Sequence, residues 1–365
     1  MNGQIRVGIV GAHPERGWAH DAHLGALRAL PQFTLAAVSA RTQEQADVAA
    51  AAFGAPRAFG DSLALVRDPA IDVVAVTVKV PEHRAVVLAA LEAGKHLYCE
   101  WPLGVDLDEA REMAAAVRPE SHAVIGLQGL SAPAIRQAAA LLHDGAIGTP
   151  HILRVFTTAA AWGATAAPHY AYLQDKRHGA TLETIGAGHT LPAIEALVGR
   201  YTEVDARTSI LRPTVPLAGT GELVNRTCAD HMLVLGRHES GCVSTLEVLG
   251  GTSERPAGFE VVGSDGWIRV VGTVPGTYQI PKLTLEASVP VPPLPEQVAP
   301  QLTGPPVNLA EAYARLAEDL RSGTRSLPDF AEAVRYSALL AAIDAASAEG
   351  RRQRLDQTDE TGGIL

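Results

Sequence analysis

Short apolar strands alternate with helical segments through about the first 128 residues, and this alternation constrains the fold more than any other feature of the sequence. It begins with IRVGIVG at residues 5–11, a β-branched run that ends in glycine, and continues with the helical pattern of WAHDAHLGALRAL. Right-handed crossovers place such helices on the two faces of a parallel sheet. The sequence therefore predicts an α/β protein in which residues 1–128 form a doubly wound parallel sheet.

The pattern changes after about residue 130. A helical segment, APAIRQAAALLHDG, leads into longer strand segments such as HILRVFTTA and CVSTLEVLG, and Ser264-Asp265-Gly266 is typical of a hairpin turn. The proline-rich PVPPLPEQVAPQLTGPP predicts an extended loop, and two helices near residues 308–322 and 329–349 close the chain. Residues 129–365 are therefore predicted to form an α+β domain with an open, largely antiparallel sheet, which serves substrate binding and oligomerisation.

The composition excludes several classes of partner. The formal net charge is −10 and no basic patch is visible, so neither nucleic acid nor a membrane surface is expected as a partner. Three widely spaced cysteines predict neither a disulfide framework nor a thiolate zinc site, and we expect no metal. No apolar window reaches the roughly 18 residues of a membrane span. These features favour a cytoplasmic protein.

A glycine-rich loop joins the first strand to the first helix. Gly8, Gly11 and Gly17 stand where a dinucleotide-binding Rossmann domain brings its backbone close to a pyrophosphate, whose charge the helix N-terminus stabilises. We expect the diphosphate to be held by main-chain amides after Gly11. The loop is longer than the standard G-x-G-x-x-G spacing. The alternative interpretation is a glycine turn that closes an ordinary α/β crossover.

The end of the second strand bears on the choice of cofactor. An acidic residue there binds the ribose 2′-hydroxyl of NAD, whereas a cation accommodates the 2′-phosphate of NADP. Here the strand ends Ser39-Ala40-Arg41, with no acid before Glu44. Arg41 therefore favours NADP over NAD, and the alternative is a solvated arginine ahead of the next helix.

Several motifs follow one another along the chain: the glycine loop with GWAHDAH, then VTVKVPEH, EAGKHLYCEWPLG, GLQG and GAGHTLPAIEALVG. In this order they resemble the Gfo/Idh/MocA oxidoreductase family. The long glycine loop, the triplet Glu100-Trp101-Pro102 and LQG resemble the branch that contains the fungal galactose-pathway repressor. The resemblance implies a nicotinamide cofactor at the carboxyl edge of the first sheet, a sugar-like hydroxylated or keto substrate, and a homodimer or homotetramer.

The resemblance also implies the residues that contact the cofactor. Lys79 follows the strand IDVVAVTV at its carboxyl end, beside the expected nicotinamide, and is a candidate proton donor. The alternative for Lys79 is a contact with the cofactor phosphate, the ribose or solvent. The expected cofactor contacts are Gly8, Gly11, Arg16, Gly17, Trp18, Ser39, Arg41, Val78, Lys79, His83, Glu100, Trp101 and Gln128.

Two polar groups of the family's catalytic motifs are absent. Trp101 stands in place of the lysine of a Glu-Lys-Pro motif, and Ile185 stands in place of the aspartate of a D-x-G-x-H motif, whose histidine is matched by His189. An indole N–H donates one hydrogen bond and does not titrate, so Trp101 is neither a general acid nor a general base. The loss is worth roughly 10²- to 10⁴-fold in rate unless another group replaces the lysine.

Two candidates for this replacement lie in the second domain. His189 is one because histidine titrates near neutrality, with a buried structural histidine as the alternative. Lys176 is the other, in the segment AAPHYAYLQDKRHG, which the resemblance places across the mouth of the site and which is otherwise a solvated loop. Trp162 and Trp101 predict an aromatic wall, with core packing as an equal alternative. The expected substrate contacts are Trp101, Gln128, Trp162, His169, Tyr170, Tyr172, Lys176 and His189.

Two functional hypotheses follow. The first is an NAD(P)-dependent oxidoreductase in which His189, with Lys176 or Lys79, replaces the usual lysine chemistry. The second is a catalytically silent sensor or regulatory protein that binds a dinucleotide and a partner, which Trp101 and Ile185 favour. We favour the enzyme.

Overall fold

The computed structural model describes residues 3–251 and 254–355, which divide into two compact units. The first unit runs up to Ser131 and includes Gln297–Val334, and the second consists of Ala132–Glu296 and the described residues from Arg335 onward. Within these described ranges, no helix combines the length and apolar character needed to cross a membrane.

A parallel six-stranded sheet forms the centre of the first unit, in the order β3-β2-β1-β4-β5-β6. This is the Rossmann order, with its switch point between β1 and β4, and it confirms the predicted doubly wound sheet. The strands are β1 Ile5–Val10, β2 Phe33–Ser39, β3 Ala58–Phe59, β4 Val73–Val76, β5 His96–Glu100 and β6 Ala123–Gly126. The helices before residue 131 are α1 Leu24–Ala29, α2 Gln43–Phe53, α3 Ser62–Val66, α4 His83–Glu92 and α5 Leu107–Ala115.

The helix ends follow local side-chain and backbone preferences. The Thr42 hydroxyl accepts the Gln45 N–H at the start of α2, and Gly54 ends this helix with a φ of 66°. A π-helical turn, Ala19–His23, precedes α1, so the helix after the glycine loop begins five residues earlier than α1 itself. The N–H groups in the first turn of this earlier start are therefore the first helical donors after the glycine loop.

The chain returns to the first unit near its end. Helix α8 spans Pro306–Ser322. It buries Leu309 and Tyr313 in the same core as residues of β1 and β2. A Cβ on Gly25 of α1 would lie 3.0 Å from Pro306 Cγ, so the two helices pack closely there. The domain boundary predicted at residue 128 assigns this helix to the C-terminal domain. The order of segments along the chain does not show which core a late helix joins.

The second unit is built on an eight-stranded mixed sheet in the order β15-β14-β13-β7-β12-β11-β8-β16. Only β7 and β12 pair in parallel among these neighbours, so the prediction of an open, largely antiparallel sheet is confirmed. The predicted turn Ser264-Asp265-Gly266 joins β13 to β14. The strands are β7 Pro150–Ala159, β8 Tyr201–Ser209, β9 Thr214–Pro216, β10 Leu223–Asn225, β11 His231–His238, β12 Val243–Gly250, β13 Pro256–Gly263, β14 Trp267–Pro275, β15 Leu283–Ala287 and β16 Gln353–Arg354, where β9 and β10 form a separate ribbon.

Three further helices complete the described fold. Helices α6 Pro133–His143 and α7 Gly188–Val198 lie in the second unit, and α9 Phe330–Glu349 contains the division between the units at residues 334 and 335. The segment before α8 that was predicted to be an extended loop contains no helix or strand from residue 288 to residue 305. Helices α8 and α9 confirm the two predicted closing helices.

The large sheet buries one face and exposes the other. Residues alternate between buried and exposed along β11 and β12, as the pleat requires. Met232 and Val234 of β11 are buried. The alternate residues Leu233 and Leu235 are 42% and 53% exposed. The outer face of the sheet therefore carries apolar side chains among charged ones, such as the ion-paired Arg154 and Glu260.

A buried ion pair fixes the loops at one end of this sheet. The Arg226 guanidinium donates to Asp230 Oδ2, to Gln174 Oε1 and to the Gly163 carbonyl oxygen, each at 2.8 Å. Asp230 Oδ1 also accepts the Leu211 N–H at 2.6 Å. Since both charged groups are fully buried, these hydrogen bonds are required to offset their desolvation. They hold the segment that includes the predicted substrate contacts.

Candidate functional site

Gly11 forms the turn at the carboxyl end of β1. Its φ of +99° lies in the region that favours glycine. A Cβ there would lie 2.8 Å from Val78 Cγ1 and 2.9 Å from Val78 N, on the loop after β4. The N–H groups of Gly11 and Ala12 both donate to the Ser39 carbonyl oxygen, at 3.2 and 2.9 Å. The ends of β1, β2 and β4 are therefore packed together at the switch point.

The helix that follows the glycine loop supplies backbone donors. Its first hydrogen bond runs from the Asp21 N–H to the Gly17 carbonyl oxygen at 2.8 Å, so the N–H groups of residues 17–20 have no acceptor within the helix. These donors and the positive end of the helix dipole suit a diphosphate. Because Gly11 and Ala12 already bond to Ser39, this first turn is better placed as a donor set than the amides directly after Gly11.

The end of β2 carries an exposed cation. The Arg41 side chain is 79% exposed and lies 4.0 Å from the Glu82 carboxylate, a separation that contributes little energy in solvent. Arg41 is therefore accessible to an anionic ligand. The Ser39 side chain is instead buried, with its Oγ 3.1 Å from Ser62 Oγ, and so links β2 to α3. Arg16 is exposed on the glycine loop.

His83 connects two loops at the same edge. Its Nε2 lies 3.0 Å from the Val78 carbonyl oxygen, and its Nδ1 lies 3.1 Å from the Pro102 carbonyl oxygen. Burial lowers the pKa of this imidazole. A neutral imidazole carries a single N–H, so His83 donates to one of these carbonyl groups and lies between the loops after β4 and β5. Lys79 is exposed on the first of these loops.

Two buried polar atoms at this edge lack a partner. The Trp18 Nε1 and the Gln128 Oε1 are buried without a hydrogen-bond partner among the described residues. Buried polar atoms are normally bonded, so a ligand is a natural partner for both. Trp101 is buried after β5 and precedes a cis peptide bond to Pro102. The glycine turn, the first-turn donors and these two atoms together fit a bound dinucleotide.

The structure adds residues that the sequence motifs did not indicate. His23 Nε2 lies 2.9 Å from Glu100 Oε1, and His23 Nδ1 lies 2.8 Å from the Tyr313 hydroxyl. Tyr313 is 290 residues away from His23 in the sequence, so no local spacing marks this pair. The expected Glu100 therefore belongs to a hydrogen-bonded group of three side chains.

His189 lies in α7 of the second unit and is 6% exposed. Burial lowers its pKa to about 4, and its Nδ1 has no hydrogen-bond partner among the described residues. At neutral pH the imidazole is therefore neutral, whereas the sequence predicted a group that titrates near neutrality. The His189 carbonyl oxygen accepts the Tyr278 hydroxyl at 2.6 Å, which fixes the backbone of this helix turn.

The segment before α7 divides into buried and exposed side chains. Trp162 is buried and its Nε1 donates to the Leu173 carbonyl oxygen at 3.0 Å, which are the features of the core-packing alternative. His169, Tyr170 and Lys176 are exposed. Tyr172 is partly buried, and burial raises its pKa to about 12, so its hydroxyl remains protonated at neutral pH.

One carboxylate in this region was not predicted. Glu183 Oε1 accepts the Ala229 N–H at 3.0 Å, while Glu183 Oε2 is buried without a partner among the described residues. Glu183 precedes Ile185 by two residues in a π-helical segment. The D-x-G-x-H spacing does not include this position, so the motif gave no indication of it.

Comparison with known proteins agrees with this division into two kinds of domain. Residues 5–126 match the model described as "Oxidoreductase family, NAD-binding Rossmann fold", and residues 133–272 match the model of the Gal80p C-terminal domain. The dehydrogenase aclE of Aspergillus oryzae is 34% identical over 60% of this chain and 62% of its own length. The galactose/lactose metabolism regulatory protein GAL80 of Kluyveromyces lactis is 29% identical over 77% of this chain and 66% of its own length. The chain thus spans less than two thirds of the length of these relatives.

Solved structures share the fold across nearly the whole chain. A super-repressor mutant of Gal80p from Saccharomyces cerevisiae has a TM-score of 0.84 at 22% identity, covering 96% of this chain and 98% of its own. Levoglucosan dehydrogenase in complex with NADH and levoglucosan has a TM-score of 0.81 at 22% identity, covering 97% and 100%. Residues 5–126 therefore belong to the Gfo/Idh/MocA oxidoreductase family, and a domain of the Gal80p C-terminal type follows them.

Proposed function

We propose that this protein is an NAD(P)-dependent oxidoreductase that transfers hydride to or from a sugar-like hydroxylated or keto small molecule. The match of residues 5–126 to the NAD-binding Rossmann family carries this proposal. Two relatives named for sugar chemistry support the substrate class: D-apiose dehydrogenase from Paraburkholderia graminis at 28% identity and 1,5-anhydro-D-fructose reductase from Ensifer adhaerens at 29%.

NADP is the cofactor that we favour, with NAD as the alternative. The exposed Arg41 at the end of β2 supplies the cation that a 2′-phosphate needs. The N–H groups of residues 17–20 hold the diphosphate, and Trp18 and Gln128 offer buried polar atoms to the remaining parts of the cofactor. The bound nicotinamide supplies the hydride-accepting or hydride-donating carbon.

His189 is the proposed proton acceptor in substrate oxidation. Because its pKa is lowered to about 4, it is neutral at pH 7 and has a nitrogen lone pair for a substrate hydroxyl. The same shift makes it a weak base, since general-base catalysis is most efficient when the pKa lies near the working pH. Lys176 and Lys79, both exposed, are the proposed alternative proton donors.

The second candidate function is a dinucleotide-binding regulatory protein without turnover. Trp101 and Ile185 remove two polar groups of the family motifs, and residues 133–272 match the Gal80p C-terminal domain. The weak basicity of His189 also favours this alternative. In that case the protein binds the cofactor and a protein partner but changes no substrate.

We also propose a homodimer or homotetramer. The outer face of the large sheet exposes apolar side chains at Ile152, Leu233, Leu235 and Val243. A second copy bound to this face would cover these exposed apolar side chains. The partners expected are therefore a small sugar-like molecule and further copies of the chain.

The first prediction concerns the glycine turn. Gly11→Ala introduces a Cβ that collides with Val78 at a φ that disfavours alanine, so we expect the affinity for NADP and NAD to fall by roughly tenfold or more in isothermal titration calorimetry. Gly54→Ala is the matched control, because Gly54 also has a positive φ but a Cβ there meets only the end of Arg28. Equal affinity in both variants would contradict the role of Gly11.

The second prediction concerns cofactor choice. Arg41→Ala removes a charged donor to the 2′-phosphate, so we expect roughly 10- to 100-fold weaker binding of NADP and little change for NAD. Arg67→Ala, which removes an exposed arginine after α3, serves as the control and should alter neither affinity. Parallel losses for NADP and NAD would refute selection of the 2′-phosphate by Arg41.

The third prediction concerns turnover. We expect nicotinamide absorbance to change when the protein is supplied with a panel of sugars and cyclitols, and His189→Ala to lower kcat by roughly 10²- to 10⁴-fold. Cofactor binding without turnover on any compound would favour the regulatory function. An unchanged kcat in the variant would reject His189 as the proton acceptor.

The fourth prediction concerns the protonation of His189. The unfolded chain takes up a proton near pH 6.5 that the folded protein resists down to about pH 4, so acidification through this window destabilises the fold. The free energy of unfolding, measured by urea denaturation, falls between pH 7 and pH 4. We expect this fall to be smaller by roughly 3 kcal/mol in His189→Gln than in the unmodified protein. His143→Gln, at an exposed position, should behave like the unmodified protein. A loss in His189→Gln as large as that of the unmodified protein would disprove the buried neutral state.

A further inference from the structure

A chain of three hydrogen-bonded side chains crosses the first unit to its carboxyl edge. It joins the Tyr313 hydroxyl to His23 Nδ1 at 2.8 Å and His23 Nε2 to Glu100 Oε1 at 2.9 Å. His23 and Tyr313 are fully buried, whereas the Glu100 side chain is 12% exposed. Only the Glu100 end of the chain therefore reaches the surface.

The hydrogen-bonding roles follow from the chemistry of the three groups. Burial raises the pKa of the Tyr313 phenol well above its usual value, so its hydroxyl remains protonated and donates to His23 Nδ1. Because a carboxylate only accepts hydrogen bonds, His23 Nε2 is the donor to Glu100 Oε1. The reverse arrangement, with a proton on Nδ1, would leave the Tyr313 hydroxyl proton in need of a further acceptor in the core.

This chain of hydrogen bonds does not conduct protons from solvent. Tyr313 stacks on Tyr98 with ring centroids 5.0 Å apart and packs edge-on against Phe33 at 5.2 Å. Its hydroxyl therefore ends in the core. A chain that is closed at one end orients the carboxylate at its other end and supplies no path for proton exchange.

Glu100 is held in place from a second side. It ends β5, and a Cβ on Gly126 at the end of β6 would lie 3.1 Å from Glu100 Cδ and from Oε1. The glycine thus leaves a slot that the carboxylate fills. With Oε1 bonded to His23, the carboxylate keeps further acceptor capacity at the end of β5, where its side chain is 12% exposed.

The strand order identifies which half of a dinucleotide this carboxylate meets. Arg41 follows β2, on one side of the switch point, and Glu100 ends β5, on the other side. A dinucleotide lies across the switch point with its adenosine half on the β2 side. Its nicotinamide half therefore lies on the β5 side, where the ribose presents two adjacent hydroxyl donors to an acceptor-only carboxylate.

We propose that His23 and Tyr313 are positioning residues that hold Glu100 so that it binds the ribose diol on the nicotinamide side of the cofactor, an inference that rests on the proposed dinucleotide binding. Glu100 contacts the ligand, and His23 and Tyr313 act through Glu100.

The test compares two ligands in titration calorimetry: NADP and adenosine 2′,5′-bisphosphate, which lacks the second ribose. We expect Glu100→Gln and His23→Leu to weaken NADP binding by roughly 10- to 100-fold while adenosine 2′,5′-bisphosphate binds within about twofold of its original affinity. His23→Gln, whose amide both donates and accepts, should restore most of the NADP affinity. Tyr313→Phe removes only the hydroxyl and should give an intermediate loss.

Glu92→Gln, at an exposed position near the end of α4, is the control for loss of a carboxylate. Equal weakening of both ligands would assign the three residues to folding alone and overturn the proposal, as would unchanged NADP binding. If His23→Leu does not fold, Glu100→Gln and Tyr313→Phe decide the question. Absence of binding of either ligand to the unmodified protein would reject the proposed cofactor and this inference with it, whereas NADP binding that is insensitive to the variants would reject this inference alone.

Discussion

The contact between Gly11 and the loop after β4 is the constraint on which the first unit depends. The approach to Val78 is closer than any side chain at position 11 allows, and the Ser39 carbonyl holds the same turn from the β2 side. Three strand ends are thereby fixed at the switch point, and the N–H groups of residues 17–20 at the start of the next helix have no acceptor within that helix. Arg41 follows β2 and Glu100 ends β5, on opposite sides of this turn in the strand order. The turn therefore determines both the donor set and the polarity of the proposed cofactor site.

The buried histidines of this protein differ in whether they have hydrogen-bond partners. In the first unit, His23 hydrogen-bonds to both Tyr313 and Glu100, and His83 donates its one ring N–H to a carbonyl group. His189 in the second unit has no such arrangement, and desolvation alone lowers its pKa. A neutral imidazole without a carboxylate partner is a poor general base but a good hydrogen-bond partner. The neutral His189 side chain is therefore suited to accept or donate a hydrogen bond rather than to take up a proton at neutral pH.

The sequence predicts most of the regular structure, because strand and helix periodicity are local properties. The strand segments IRVGIVG and IDVVAVTV, the hairpin turn at Ser264-Asp265-Gly266 and the two closing helices are examples. The packing of α8 in the first unit was not predictable, because Tyr313 finds its neighbours some 290 residues earlier in the chain. The low pKa of His189 and the buried indole of Trp162 depend equally on tertiary packing. Residue types at motif positions therefore identify candidates, whereas their protonation and exposure follow only from the fold.

The most direct measurement is a crystal structure of the protein grown with NADP. We expect the diphosphate at the N–H groups of residues 17–20, the 2′-phosphate beside Arg41, and the ribose on the nicotinamide side within hydrogen-bonding distance of Glu100. A nucleotide bound away from the end of β1, or crystals that contain none at saturating NADP, would contradict the proposed cofactor site and the functions that depend on it.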